Sequence, residues 1–306
     1  MAAKPLFSID LKKVLVGAQL AALPQSAIRL LELSQDPSNG PADFAVPIEA
    51  DPGLTGQVLR FVNSSYFGFS REISSVKLAI TLVGIRTIKN FSLWSAVFSL
   101  MPNPKCGPFE LKRLWQDSLR RALCARTLGK MLGLKEAEEP FAAALLQDMA
   151  VPLLAREAPE IYKKLLEARA DGAVRLSTLE RHAFGWTHAE AAGLMARQWN
   201  LPEDFAALIE SHTDVDRWTP QPEADAGRTA VSMSALLPAV ADTAWTECSQ
   251  FETSFDRMFP SREGAVGDLL AQVDTEFTEF APVLKIANPK KSLVETYRES
   301  TQAATA

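Results

Sequence analysis

The sequence predicts an all-α protein, and three features lead to that conclusion. Apolar residues recur with the helical period of about 3.6 residues through almost every segment. No pair of alternating β-branched runs is joined by Asn-Gly or Asp-Gly, so hairpins are not indicated. Proline and glycine cluster between the periodic segments, where they are expected to end helices. With 47% hydrophobic and 23% charged residues in 306, the chain can bury a substantial core.

The first third predicts short helices with recognisable ends. The segment "LPQSAIRLLELSQD" is amphipathic and stops at "DPSNGP". Asp51 is the expected N-cap of the next helix, with Pro52 at the first helical position, where a missing N–H costs nothing. A further helix follows Ser75, breaks near Gly84 and resumes towards Trp94. The proline-rich "MPNPKCGP" then predicts a boundary between subdomains.

Helices are predicted around residues 110–133, 140–156, 159–170, 176–183, 187–199, 202–212, 231–247 and 264–284. Residues 213–229 are polar and predict a loop, and the tail from Ala287 is expected to fray. This organisation predicts three segments: an N-terminal helical subdomain, 1–106; a second helical subdomain, 107–246; and a C-terminal helix and tail, 247–306.

Composition excludes several classes of protein. A net charge of −5 disfavours a broad surface for nucleic acid or anionic lipid. Three scattered cysteines without CxxC spacing predict neither disulfides nor a zinc ribbon. The start "MAAKPLFSID" lacks a secretory pattern, and no apolar run approaches the roughly 20 residues that cross a bilayer. We expect a cytoplasmic protein without membrane partners.

Acidic and imidazole side chains recur on successive predicted helices, which is how an all-α protein builds a metal centre, since each helix projects only one or two ligands into a shared cavity. The candidate metal ligands are Asp117, Asp148, His188, His212 and Asp242. Asp148 stands out because it interrupts the apolar segment "AALLQDMAVPLLARE", which predicts one buried helix. A buried carboxylate is costly unless it is paired, hydrogen-bonded or metal-bound.

Longer motifs carry a family resemblance. The segments "IEADPGLTGQVLRFVNSSYFGF", "ISSVKLAITLVGIRTIKNF", "AALLQDMAVPLLA" and "ERHAFGWTHAEAAGLMARQWNLPEDFAALIESH" resemble the HDOD family, a relative of the HD-type metal-dependent phosphohydrolases found in bacterial signalling proteins. The resemblance covers roughly residues 20–246. It implies an HD-like helical core with an additional N-terminal helical layer, and a cavity where relatives hold one or two metal ions.

The resemblance also implies a damaged metal site. In HD relatives the ligands are His, His-Asp, His, His and Asp, with the pair inside an HDxGK sequence. Asp117 and Gln147 stand at the first two histidine positions, and Ala150 and Val151 replace the glycine and lysine. Gln147 offers only a neutral amide oxygen and Asp117 a hard anionic one, which disfavours zinc or iron. Val151 cannot stabilise a phosphoryl group as the lysine could.

Each candidate also has a structural interpretation. For Asp148 a hydrogen bond or ion pair is favoured over metal binding. His188, just after Thr187, is expected to satisfy backbone groups and neighbouring carboxylates, and His212 at a helix end to act as a cation on the dipole. Asp117 and Asp242 are expected to be solvated helix acids, and His182 a surface residue.

We therefore expect a non-catalytic signalling module, with two helical layers forming a groove that binds a protein partner or a small regulatory ligand, such as a nucleotide. No cofactor is expected, and a weak Mg²⁺ or Mn²⁺ site at the five candidates stays open. The alternative is a metal-dependent phosphohydrolase acting on a nucleotide or phosphodiester. DNA binding through Arg86 and Lys89 is disfavoured, since two basic residues in an acidic chain do not make the basic surface that DNA binding requires.

Overall fold

The structure is a computed structural model that describes residues 5–7, 9–18, 20–135, 137–169, 172–262, 265–282 and 284–305. The described part is helical and contains no β-strand, which confirms the predicted all-α class. The helices are α1 (Leu11–Gly17), α2 (Gln25–Leu33), α3 (Pro41–Glu49), α4 (Pro52–Val62), α5 (Val76–Val83), α6 (Ile85–Leu100), α7 (Leu111–Met131), α8 (Glu138–Leu146), α9 (Ala150–Glu157), α10 (Pro159–Arg169), α11 (Leu176–Phe184), α12 (His188–Gln198), α13 (Glu203–Glu210), α14 (Val215–Trp218), α15 (Ala226–Ser234), α16 (Cys248–Met258), α17 (Val266–Phe280) and α18 (Leu293–Thr305).

The chain divides into two compact units. Unit 1 comprises residues 1–20, 101–275 and 288–306, and unit 2 comprises residues 21–100 and 276–287. This division differs from the three predicted segments, because the N-terminal stretch joins unit 1 and a short stretch near the C-terminus joins unit 2. Among the described helices, none is long and apolar enough to cross a membrane.

Unit 2 follows the local signals of its sequence. The Asp51 side chain accepts a hydrogen bond from the Leu54 N–H at 3.0 Å, and Pro52 begins α4 as predicted. The hydroxyl of Ser75 caps α5 in the same way. Gly84, with φ of +92°, separates α5 from α6 at the predicted break, in a backbone conformation that favours glycine.

Unit 1 is built around α7, which packs against α8 and α15, while α12 packs against α13 and α9. From residue 117 to residue 129 every residue of α7 except Arg121 is buried. One of them is Cys124, a free thiol with no exposed surface, and Cys106 and Cys248 are also buried and free. A helix buried on nearly every side places its polar residues inside the unit, where they need partners.

Two predicted helices are wrong for the same physical reason. Proline has no N–H, and its ring clashes with the carbonyl four residues earlier. The predicted helix 140–156 is interrupted at residues 147–149, and Pro152 lies four residues after Asp148. The predicted helix 231–247 ends at Ser234, four residues before Pro238.

Two polar segments are more ordered than predicted. The expected loop 213–229 contains α14 and the first turn of α15. The tail forms α18 instead of fraying, because the Asp274 carboxylate accepts the N–H groups of Leu293 and Val294 at 3.0 and 3.1 Å. Ala170 and Gly264, at the ends of two predicted helices, lie outside the described residues.

Candidate metal centre

Asp148 lies in the interruption between α8 and α9. The missing N–H of Pro152 leaves the Asp148 carbonyl without the donor of a regular helix, and the Val151 N–H takes that place at 3.0 Å. Such a three-residue spacing tightens the backbone locally. The proline therefore explains why the segment predicted as one buried helix is interrupted at Asp148.

His188 is the first residue of α12, as expected from the N-cap at Thr187. Its Nδ1 lies 2.6 Å from an oxygen of Glu180, and its backbone N–H donates to that same oxygen at 2.8 Å. Glu180, on α11, is fully buried and accepts a further hydrogen bond from the Tyr162 hydroxyl. Because a carboxylate oxygen can only accept, Nδ1 carries a proton and Nε2 points away from Glu180.

His212 follows the end of α13 and is also buried. Its Nδ1 lies 2.7 Å from the carbonyl oxygen of Ile209, so Nδ1 is the protonated nitrogen. Burial lowers the pKa of His212 to about 3. The expectation that His212 acts as a cation at its helix end is therefore wrong: the imidazole is neutral, and the lone pair of Nε2 can accept a hydrogen bond or bind a metal.

Three of the five candidate ligands converge. His188 Nε2 lies 3.1 Å from His212 Nε2 and 3.2 Å from Asp148 Oδ1, and His212 Nε2 lies 3.7 Å from that oxygen. All three side chains are buried, and their donor atoms lie within 4.8 Å of one another. Neighbouring ligands of an ion with bonds of about 2.0–2.2 Å are separated by roughly 3–3.6 Å. The spacing therefore fits one divalent cation, and we call these three residues the triad.

Without a metal, a proton accounts for the close nitrogens. Burial acts to lower the pKa of His188, but the carboxylates of Glu180 and Asp148 outweigh it and raise that pKa to about 10. His188 is then an imidazolium, and its Nε2–H is shared between Asp148 and the neutral Nε2 of His212. The proton and a divalent cation compete for the same position.

Arg121 supplies a second positive charge to the triad. Its guanidinium forms an ion pair with Asp148 from α7, and both side chains are largely buried. Burial acts to raise the pKa of Asp148, but Arg121, His188 and His212 together outweigh it and hold that pKa well below its usual range. Asp148 thus has the ion pair favoured from the sequence, although its partner was not predicted.

Asp117 lies one helical turn before Arg121 and does not join the triad. Its Oδ1 accepts the N–H of Val240 at 2.7 Å. Burial raises the pKa of Asp117 to about 6, against the opposing effect of Arg121. Asp117 is therefore a buried, hydrogen-bonded acid, and the expectation of a solvated helix acid is wrong.

Asp242 also lies outside the triad and is held by a different arginine. Arg169 donates two hydrogen bonds to its carboxylate, at 2.6 and 2.8 Å, and the Ala239 N–H donates a third at 2.8 Å. Gly172, with φ of +95°, lies so close that a Cβ there would be 2.7 Å from Asp242 Cγ. Asp242 is not on a helix, since α15 ends earlier, and the prediction of a solvated helix acid is wrong here too.

All five candidates line one cavity of about 160 Å³ in unit 1. Four arginines also line it, Arg113, Arg121, Arg169 and Arg175, and each is paired with an acid. Gln147 is fully buried at the cavity wall, and neither of its amide atoms has a hydrogen-bond partner among the described residues. Such a group is costly unless a ligand, water or ion satisfies it.

The triad and Gln147 fit a divalent cation chemically. Two imidazole nitrogens, a carboxylate and an amide oxygen are all metal ligands, and Gln147 is the orphaned group that a metal or its water would satisfy. The sequence suggested that the hard anionic oxygen of Asp117 would disfavour zinc or iron. Because Asp117 lies outside the triad, this preference does not apply to the three converging residues. Assignment of the five side chains as metal ligands stays a prediction.

Sequence reasoning missed Glu180, Tyr162, Arg121 and Arg169. Arg169 lies 73 residues from Asp242, and Glu180, although only eight residues before His188, is marked by no local pattern. The one available signal was Pro152, which predicts a break at Asp148. His182 is exposed, as predicted.

Comparison with known proteins identifies the fold. A crystal structure of an HDOD domain protein of unknown function from Geobacter sulfurreducens is 20% identical, with a TM-score of 0.68, and the match covers 91% of this chain and 99% of that one. A "putative signal transduction protein" from Marinobacter aquaeolei is 18% identical, with a TM-score of 0.68, and the match covers 94% of this chain and 63% of that one. A "putative phosphohydrolase" from Shewanella amazonensis is 19% identical, with a TM-score of 0.59, and the match covers 94% of this chain and 93% of that one. These likenesses show the fold.

The sequence comparisons give the family. An uncharacterized protein of Treponema pallidum is 26% identical over 201 residues, which cover 64% of this chain and 39% of that protein, so the chain spans less than half of this curated relative. The profile of the HDOD domain matches residues 20–215, well over half of the chain, and stops before Asp242, short of the predicted limit at 246. The chain belongs to the HDOD domain family.

Proposed function

We propose that this chain is a regulatory HDOD module whose cavity in unit 1 binds a small ligand, or a segment of a protein partner, without turning it over. The observation that carries the proposal is the buried ion pair between Arg121 and Asp148. The guanidinium neutralises the acid at which a divalent cation would be anchored. Val151 lines the cavity at the position where a phosphohydrolase of this type would present a lysine, so a cation for transition-state charge is missing there.

The four arginines that line the cavity support a small, anionic ligand, which would take the place of an acid that pairs with them. Arginines recognise phosphate and carboxylate groups through paired N–H donors. The amide of Gln147 offers both a donor and an acceptor to a neutral polar edge, such as that of a nucleobase. A nucleotide combines both kinds of group, which makes nucleotides the first ligand class to test.

The test is a thermal-shift and calorimetric screen of nucleotides with the full chain, with and without Mg²⁺ or Mn²⁺. Gln147→Leu is the informative variant, because it fills a similar volume and removes only the polar edge. We expect it to fold normally and to lose ligand binding, whereas Gln221→Leu, at an exposed position of unit 1, keeps it. The proposal would be contradicted if no nucleotide changed the melting temperature and the protein released phosphate from a substrate over many turnovers.

The second candidate is a metal-dependent phosphohydrolase, and the triad favours it. Asp148, His188 and His212 would hold the ion, with Gln147 beside them. A bound divalent cation would polarise a phosphoryl oxygen and lower the pKa of a bound water. For this role the Nε2 proton of His188 must leave the triad, and the cation must bind Oδ1 of Asp148 while Arg121 pairs with Oδ2 and weakens the charge of the carboxylate.

Metal content and phosphate release separate the two candidates. Untagged protein is incubated with Mn²⁺, Mg²⁺ or Fe²⁺, desalted and analysed by elemental mass spectrometry, and phosphate release is followed on nucleotides. The hydrolase predicts stoichiometric metal and turnover that are lost in Asp148→Asn and retained in Asp204→Asn, an exposed acid on α13. The regulatory module predicts no turnover in any of the three proteins.

A further inference from the structure

Glu180 holds a fully enclosed hydrogen-bond network in unit 1, and the candidate functions have not used it. Its side chain has no exposed surface and accepts three hydrogen bonds, from the Tyr162 hydroxyl, from His188 Nδ1 and from the His188 backbone N–H. Burial and the Glu180 carboxylate raise the pKa of Tyr162 far above its usual value, so the phenol stays a donor. Three donors converge on the two oxygens of Glu180 and fix its side chain from both sides.

We propose that Glu180 is a positioning residue: through Nδ1 it fixes the ring of His188 with Nε2 directed at Asp148 and His212, and so keeps the triad convergent for a divalent cation. The proposal rests on the triad being a cation site, as in the second candidate function. Two of the three hydrogen bonds of Glu180 come from His188, one of them from the ring nitrogen Nδ1, so Glu180 acts on a cation through that ring.

The argument for this role is the arrangement of the two imidazoles. Their Nε2 atoms lie 3.1 Å apart, which without a proton or cation between them would set two lone pairs against each other. A free imidazole would relieve this by rotating about its side-chain bonds. His212 is held by the Ile209 carbonyl at 2.7 Å, and His188 by Glu180 at 2.6 Å. Each ring therefore has one nitrogen anchored and the other presented to the triad.

A carboxylate behind a metal-binding imidazole also raises the basicity of the ligating nitrogen. Glu180 is placed to do this for His188, whereas the neutral carbonyl of Ile209 gives His212 no added charge. The two imidazoles are consequently unequal ligands. Removal of the Glu180 charge should therefore weaken the binding of the cation by His188, while all three residues of the triad stay in the sequence.

The test compares Glu180→Gln with Glu190→Gln in the full chain. The amide introduced by Glu180→Gln can still accept from Nδ1 but carries no charge, so folding is expected to be retained. Glu190 supports the same end of α12, where its carboxylate accepts the Thr187 N–H at 2.7 Å, at a distance from the ring nitrogens. The Mn²⁺ affinity is measured from the electron paramagnetic resonance signal of free Mn²⁺, and the ring of His188 is followed by ¹⁵N-resolved NMR of the metal-free protein.

We expect Glu180→Gln to lower the Mn²⁺ affinity about 10- to 100-fold and Glu190→Gln to leave it unchanged. The far-downfield Nδ1–H resonance of a carboxylate-bound imidazole should be present in the wild type and in Glu190→Gln, and move upfield in Glu180→Gln. A folded Glu180→Gln with wild-type affinity overturns the proposal, as does an equal loss in Glu190→Gln.

The metal-free NMR measurement keeps the two proposals separable. If the wild type binds no Mn²⁺, the cation site of the second candidate function fails, and with it the metal role of Glu180. The Nδ1–H resonance then still decides the geometric claim: a resonance at the same position in wild type and Glu180→Gln overturns the positioning of His188 by Glu180. Tyr162→Phe, which leaves the Glu180 charge in place, is expected to give a smaller loss of affinity than Glu180→Gln.

Discussion

Asp148 and Asp242 line the same cavity, and an arginine pairs with each of them, yet their surroundings differ. Asp242 receives two hydrogen bonds from Arg169 and one from a backbone N–H, and Gly172 packs against it. Asp148 has Arg121 on one side and two imidazole nitrogens on the other. Asp242 therefore stabilises the loop that carries it, whereas Asp148 faces a position that either the His188 imidazolium proton or a divalent cation can occupy. Two acids at matching family positions have separate physical roles.

The largest expected effect is the loss of metal binding in Asp148→Asn, because this change removes the only carboxylate of the triad. Mn²⁺ affinity should fall at least about 100-fold, while Asp242→Asn leaves it unchanged. Equilibrium dialysis with elemental analysis measures both. Since Asp148→Asn strands the buried guanidinium of Arg121, the double variant with Arg121→Gln is the control for folding. Equal losses in the two single variants would erase the distinction between the two acids.

Asp117 should make stability depend on pH. Burial raises its pKa from 3.8 to about 6, so between these values the folded state binds more protons than the unfolded state. Stability contributed by Asp117 therefore falls as pH rises through this window, by up to roughly 3 kcal/mol. Asp117→Asn keeps an acceptor for Val240 and removes the charge, so its stability relative to wild type should rise from about pH 4 to about pH 8. Urea unfolding of the metal-free proteins measures the difference, and a constant difference would contradict the raised pKa.

Asp242→Asn should destabilise the protein by about 2 kcal/mol, because the partly buried Arg169 loses its charged partner. The measurement is the midpoint and slope of urea unfolding in metal-free protein. Asp204→Asn, at an exposed position, provides the control and should change little. A destabilisation no larger than that of the control would mean that the loop does not depend on this ion pair.

Arg121→Gln should strengthen metal binding, since it removes the cation that competes for Asp148. We expect a gain in Mn²⁺ affinity of about 10-fold, equivalent to about 1.4 kcal/mol. The comparison with Arg169→Gln is the control, because Arg169 pairs with the other acid. If both variants bind Mn²⁺ as the wild type does, Arg121 and the metal do not compete.

The sequence predicted what neighbouring residues determine. Asp51 and Ser75 cap their helices through residues three positions away, and Gly84 breaks the chain by its own conformation, so each could be identified without the fold. The apolar stripe of α17 is buried, as its periodicity predicts. Pro152 is also a local signal, since a proline removes the hydrogen bond to the carbonyl four residues earlier, which here belongs to Asp148.

The remaining features depend on pairs that are distant in the chain. The motif spacing of the family pointed to Asp148, His188 and His212, and the fold brings them together. Arg121 and Asp148 are 27 residues apart, and Arg169 and Asp242 are 73 apart, so their pairing follows from the tertiary fold. The protonation of His188 and His212 could not be predicted either, because it depends on their burial and on the orientation of each ring towards Glu180 and Ile209, which the fold determines.

The rate at which the buried thiol of Cys124 reacts with a reagent can report how often unit 1 opens. Cys124 lies three residues after Arg121 on α7 and has no exposed surface, and burial raises the pKa of its thiol well above the usual value. A thiol reagent can therefore reach it only after α7 separates from the rest of the unit, and the labelling rate measures that opening. With Cys106 and Cys248 replaced by serine, any ligand or metal that bridges α7 to its neighbours should slow the reaction in proportion to its occupancy.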